Sequence, residues 1–201
     1  MKKGMIVGLS IVGGFFLIIF ILIMWGIGSY NKIVTLNQSV VQSWSQVENQ
    51  YQRRMDLIPN LVNTVKGYAN FEKSVLTDVT EARAKVSQMN VTKEVLNDPQ
   101  AFAKFQQLQG SLSGALSRLL VTVENYPNLK ANDNFLQLQA QLEGTENRIA
   151  VERRNFNLMV QEYNTAILRF PGSIIAGITG FRSKDYFKAV TGAETAPKVE
   201  F

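Results

Sequence analysis

The chain has 201 residues, 46% of them hydrophobic and 18% charged, carries a net charge of +5 and contains neither cysteine nor histidine. That length accommodates one domain with an extension. Without Cys or His, no disulfide, thiolate nucleophile, zinc knuckle, iron–sulfur ligation, imidazole metal site or Ser-His-Asp arrangement can be built. The composition therefore points away from an enzyme and from any cofactor.

The charge sits at the ends. Lys2 and Lys3 precede the first apolar run, the stretch from Asn31 to Leu168 holds 14 Lys/Arg against 13 Asp/Glu, and Arg169 to Phe201 holds 5 against 3. A nucleic-acid reader shows a basic stripe or patch on its body. This body is close to neutral, so nucleic acid is not an expected partner, although the pI is near 9.5.

Residues 1–30 read as a transmembrane signal anchor. From Gly4 to Ser29 there are 26 consecutive uncharged residues, including Phe15, Phe20 and Trp25. At ~1.5 Å per residue such a helix reaches ~39 Å, more than a hydrocarbon core of ~30 Å. The run is too long for the apolar region of a cleaved signal peptide, and no A-x-A-like site follows it. Trp25 and Tyr30 fall where an interfacial aromatic belt belongs. Gly4 and Gly8 form a single G-x-x-x-G, a weak helix-dimerisation signal. Lys2 and Lys3 before the span, against Lys32 alone after it, place the N-terminus in the cytoplasm and the body outside.

Residues 31–170 show helical periodicity and no convincing two-residue alternation. The first helix carries Ile33, Leu36, Val40, Trp44, Val47, Tyr51, Met55, Ile58, Val62 and Val65 on one face, with Pro59 inside the pattern and a stop at Gly67 to Asn70. Phe71 to Met89 forms the second, with Phe71, Val75, Val79, Ala82, Val86 and Met89. After a loop, Asn97-Asp98-Pro99 starts a third helix that Pro127 closes. Its stripe is Phe102, Phe105, Leu112, Leu116, Leu119, Val123 and Tyr126, and Gly110, Gly114 and Ser117 offer a neighbouring face to another backbone. The fourth runs from Phe135 to Phe170 with a strict 3-4 alternation through Leu142, Thr145, Ile149, Glu152, Phe156, Met159, Tyr163 and Ala166, a coiled-coil-like seam. Short connections make neighbours antiparallel. The expected fold is all-α: an N-terminal transmembrane helix followed by a long up-and-down antiparallel four-helix bundle.

In that topology residues 171–201 return to the bilayer as a membrane-proximal segment. Ile174, Ile175, Phe181, Arg182, Lys184 and Phe187 are the expected membrane-interface residues, too few and too glycine-interrupted to span. The alternative is a loop folding back over the base of the bundle.

Several runs resemble the LemA family. They are Arg53 to Val62 (RRMDLIPNLV), Thr64 to Ala69, Thr80 to Arg83, Leu112 to Leu120, Glu124 to Ala131 (ENYPNLKA), Leu142 to Ile149 (LEGTENRI), Tyr163-Asn164-Thr165 and Phe170-Pro171. One departure is Phe71-Glu72, where members often carry His-Glu. The resemblance implies a membrane-anchored helical bundle in bacteria. It also implies a link to a membrane zinc metallopeptidase or a TPM-domain membrane protein, near which relatives are often encoded.

Polar residues in apolar stripes are the places where chemistry could reside. A buried carboxylate needs a partner, and the antiparallel first helix offers Arg53 and Arg54 to Glu152 as a structural ion pair fixing register. Glu143, Glu146 and Glu152 could suggest a bridged metal site, but bundle di-iron sites use Glu-x-x-His. Glu143 and Glu146 are therefore assigned to surface pairs with Arg148 or Lys. No phosphate-binding loop or nucleophile elbow occurs, and Asn90-Val91-Thr92 is an uninformative glycosylation pattern. The expected role is non-enzymatic: an anchored scaffold or interaction protein of the bacterial inner membrane and envelope, self-associating as a homo-oligomer. The alternative is a sensor-like module holding a small ligand near Tyr68, Tyr126 and Lys130.

Overall fold

The computed structural model describes residues 2–68, 71–89 and 93–188. Asn70 of the expected first stop, the Asn90-Val91-Thr92 pattern and residues 189–201 lie outside the described residues, as do the side chains of Lys2 and Lys3. Among the described residues the chain is all-helical, with no strand. The helices are α1 (Lys2–Lys66), α2 (Lys73–Ser87), α3 (Pro99–Val123), a short α4 (Pro127–Lys130), α5 (Asp133–Leu168) and α6 (Gly172–Thr179), and a 3₁₀ turn covers Lys93–Asn97.

The helix ends follow local chemistry. Pro99 at the first position of α3 loses no hydrogen bond, and the Asp98 carboxylate accepts from the backbone N–H of Gln100 at 2.9 Å and of Ala101 at 3.2 Å, as an N-cap should. The Asn132 side-chain oxygen accepts from Phe135 N at 3.1 Å at the start of α5. Gly180, with φ of 79°, closes α6 in the left-handed conformation that glycine adopts freely. α1 runs on through Pro59 without a break.

The chain forms two compact units, residues 1–40 with 159–183 and residues 41–158 with 184–201. In the second unit the expected stripes meet in one core. Ile58, Leu61 and Val65 of α1, Val79 of α2, Leu112 and Leu119 of α3, Leu129 of α4 and Phe135 of α5 are all buried there. Further along these helices the core is aromatic. The Trp44 ring lies 5.2 Å from Phe105, 5.7 Å from Phe156 and 6.1 Å from Phe187 between centroids. Aromatic pairs at such distances add about 0.5–1.5 kcal/mol each beyond burial. Gly110 and Gly114 do not admit a neighbouring backbone, because a Cβ at either would meet nothing within 4 Å.

The α5 seam departs from strict alternation beyond Phe156. Val160, Tyr163 and Ile167 take the buried positions, Met159 and Ala166 are half-buried, and Phe170 is 70% exposed. A 3.5-residue repeat drifts by ~20° per heptad on a straight helix of 3.6 residues per turn. After three heptads Met159, Ala166 and Phe170 of the expected seam have turned outward, whereas Tyr163 stays inside.

In the first unit, the end of α5 turns sharply into α6. Gly172 is buried at that turn, and a Cβ there would stand 1.9 Å from the Ala166 carbonyl oxygen. Only glycine fits this approach.

Candidate functional site: a membrane-facing surface and a buried arginine

The N-terminal part of α1 presents apolar side chains in every direction. Phe15 is 61% exposed, Phe20 63% and Trp25 47%, and Gly4 is also exposed. A helix that is apolar all round belongs in lipid or in a large core, and here no protein covers it: none of its most apolar window is buried. The same helix changes character at Ile33, which is 1% exposed. Four residues on α6 and its flanks join this surface. The Phe170 ring stands 5.3 Å from Trp25 and the Phe181 ring 6.0 Å from Tyr30. Ile174 is 53% exposed, and Ile175 is half-buried with its Cδ1 beside Gly26. Arg182 is exposed, and its carbonyl accepts from the Tyr163 hydroxyl at 3.1 Å.

Lys184 and Phe187 correct the expected interface set. Both are buried within the second unit. Lys184 Nζ donates to Asn97 Oδ1 at 3.0 Å, and burial lowers its ammonium below the usual lysine range. Phe187 packs against Trp44, Phe102 and Phe156, with the Arg153 guanidinium 4.6 Å from its ring centroid. Side-chain amides hold its backbone. Asn157 accepts from Phe187 N at 2.8 Å and donates to its carbonyl at 3.0 Å, and Gln106 Oε1 accepts from Lys188 N at 3.0 Å. Residues 184–188 thus form a strap over the aromatic core, close to the folded-back alternative. An aromatic residue beside cations reads the same way in sequence whether its burial is in lipid or in protein.

The second feature is Arg54, 1% exposed inside the second unit. Its Nη1 donates to Glu146 Oε1 at 2.6 Å and to Ser113 Oγ at 2.7 Å, its Nη2 donates to Gln109 Oε1, and Tyr51 lies 5.1 Å away as a cation–π partner. Burial raises the Tyr51 hydroxyl pKa, opposed by the positive charges of Arg153 and Arg54. The expected pairing of Glu152 with Arg53 or Arg54 is not formed. Arg53 is exposed, and half-buried Glu152 accepts from Asn155 Nδ2 at 3.2 Å. Glu146 lies six residues before Glu152, roughly 9 Å along the helix, and it is the carboxylate level with Arg54. The sequence assigns Glu146 to a surface pair with Arg148 or Lys because it flanks the seam, next to buried Thr145; its side chain is 42% exposed, yet its carboxylate reaches inward to Arg54. The available signal was the pairing of two off-stripe residues, Arg54 beside Met55 and Glu146 beside Thr145.

Beside this network a cavity of about 300 Å³ is lined by Glu48, Tyr51, Gln52, Arg83 and Gln109 among others. Of the residues expected to hold a ligand, Tyr126 packs against Phe71 with ring centroids 5.0 Å apart and Lys130 pairs with Glu124. Among the described residues no group of three or more acidic side chains could hold a metal ion.

Among the described residues one apolar, uncovered helix is long enough to cross a bilayer and helices pack on a common core, the build of a membrane-associated all-α protein. The chain belongs to the LemA family, whose family model matches residues 43–201. It is 27% identical over 183 positions to magnetosome protein MamQ of Magnetospirillum gryphiswaldense, covering 83% of this chain and 67% of that one. It is 26% identical over the same span and coverage to MamQ 2 of Paramagnetospirillum magneticum. It is also 26% identical over 168 positions to protein LemA of Metamycoplasma hominis, covering 81% and 73%.

Proposed function

We propose that this protein is a single-pass, membrane-anchored scaffold at the bacterial cell envelope, with a non-enzymatic interaction role. Its N-terminus is cytoplasmic and its body is an extracytoplasmic antiparallel four-helix bundle. The carrying observation is the change along α1 from side chains exposed on all faces before Tyr30 to core side chains from Ile33 onward. One helix serves as both anchor and structural member, which suits a protein that positions partners at a membrane. Arg54 fits the same reading, because its hydrogen bonds to Ser113 and Gln109 and its pairing with Glu146 tie α1, α3 and α5 into one register. The partners are lipid, further copies of the chain and a second membrane protein, for which a membrane metallopeptidase or TPM-domain protein is the natural candidate.

Mass spectrometry of the native protein, extracted in mild detergent, tests this. The scaffold reading predicts homo-oligomers or a co-purifying membrane protein. A monomer carrying one discrete small molecule overturns it in favour of a sensor-like module. The cavity beside Tyr51 and Arg83 is the observation that favours that second reading, and Arg83→Ala would then release the molecule.

A further inference from the structure

The first unit contains a groove of about 530 Å³ whose lining includes Ser29, Lys32, Leu36, Glu162, Arg169 and Phe170. We propose that this groove binds the phosphodiester headgroup of an anionic phospholipid, an inference that rests on α1 crossing the bilayer.

The depth of the groove is fixed by contacts along α1. The Trp25 ring touches Phe170, a Cβ at Gly26 would lie 3.9 Å from Ile175 Cδ1, and the Tyr30 ring packs tilted against Phe181. Trp and Tyr at the end of a membrane helix settle at headgroup level, so α6 lies at that level. Ser29 and Lys32 follow Trp25 by one and two helical turns, on the aqueous side of the acyl boundary. The groove therefore opens where lipid phosphates are densest.

Its chemistry matches that position. Lys32 and Arg169 line it, and neither forms an ion pair among the described residues. Glu162 on the same wall leaves one net positive charge, the complement of a monoanionic headgroup and not of a zwitterionic one. Exposed Phe170 and Ile174, 70% and 53% accessible, extend from the groove as a surface for acyl chains. A short apolar helix lying in the interface gains from both terms, burial of apolar area and attraction to anionic lipid. Inorganic phosphate carries similar charge but lacks the chains, so it lacks the apolar part.

The test uses the full chain in neutral detergent, titrated with phosphatidylglycerol, phosphatidylethanolamine and inorganic phosphate, with bound lipid read by native mass spectrometry. Phosphatidylglycerol is expected to bind preferentially. Lys32→Gln and Arg169→Gln each weaken it about five-fold, the effect of one cation at an anionic surface, whereas Lys130→Gln in the second unit changes nothing. Both groove side chains are exposed, so unchanged helicity of the variants confirms that folding is intact. Equal binding of the two lipids, or unchanged binding by the double variant, overturns the proposal. Displacement of phosphatidylglycerol by millimolar phosphate also overturns it and assigns the groove to the free ion. An alkaline wash of membranes separates the two failures: a chain that stays in the pellet but shows no lipid preference sinks this site alone, and a chain that washes off sinks the anchor.

Discussion

Arg83 Nε donates a hydrogen bond to the Met55 carbonyl oxygen at 3.2 Å, and Met55 is the residue four before Pro59. In an α-helix that carbonyl accepts from the N–H of residue 59, which proline lacks. A side chain from α2 thus supplies the donor that α1 is missing. This explains how α1 passes through Pro59 inside a packed core, where an unpaired acceptor costs about 1–3 kcal/mol.

Arg83→Met should therefore destabilise the full chain by about 1–3 kcal/mol, read from denaturant midpoints in mild detergent. Pro59→Ala in that background restores an N–H at position 59 and should recover part of the loss. If Pro59→Ala lowers stability equally with and without Arg83, the relationship is incidental.

The Arg54 network makes a prediction about which carboxylate matters. Arg54→Ala leaves Gln109 and Glu146 without their partner and should cost about 3 kcal/mol. A double-mutant cycle between Arg54 and Glu146 should show coupling of about 1 kcal/mol, modest because Glu146 is partly exposed. The same cycle between Arg54 and Glu152 should show none.

Gly172 and Gly177 both lie in α6 and should respond in opposite ways to alanine. At Gly172 the new Cβ meets the Ala166 carbonyl at 1.9 Å, whereas at Gly177 it meets nothing within 4 Å. Gly172→Ala should lower the melting temperature of the first unit. Gly177→Ala should leave it unchanged or raise it, since helix propensity adds up to about 1 kcal/mol of stability.

The strap predicts that Phe187→Ala costs about 3 kcal/mol, as for other buried phenylalanines, and alters the fluorescence of Trp44. Membrane binding should not change, which distinguishes a core residue from an interfacial one.

Two buried groups give opposite pH slopes. Burial depresses Lys184 below its ordinary 10.5, so between the folded value and 10.5 the unfolded chain holds the extra proton and stability rises with pH. Burial raises Tyr51 above 10.0, so above pH 10 the folded chain holds the extra proton and stability falls as pH rises. Lys184→Met should flatten the first slope and Tyr51→Phe the second, in midpoints measured from pH 8 to pH 11.

Much of the fold was legible because its signals are local. Apolar spacing located the core of α1, including Trp44, Tyr51 and Ile58, and Asp98-Pro99 marked the start of α3. What escaped depended on three-dimensional register. Glu152 sits in the seam and Glu146 beside it, but the axial offset between α1 and α5 brings the flanking carboxylate level with Arg54. Lys184 and Phe187 show the same limit, because the partners that bury them, Asn97, Asn157 and Trp44, are distant in the chain. The contacts of Phe170 with Trp25 and of Phe181 with Tyr30, on either side of α6, are not legible in the sequence, because a Gly-rich apolar run carries no periodic signal of what it packs against.

The central claim is that the N-terminal part of α1 crosses a bilayer while α6 lies at its surface. The chain has no cysteine, so one introduced cysteine gives one spin label. Labels at Phe20, Ile178 and Val121, all exposed, would be compared by power saturation in phosphatidylglycerol–phosphatidylethanolamine liposomes, using oxygen and a water-soluble relaxation agent. The account predicts a Phe20 label deep among acyl chains, an Ile178 label at the headgroup boundary and a Val121 label in water. A Phe20 label that meets the water-soluble agent as freely as the Val121 label would contradict it.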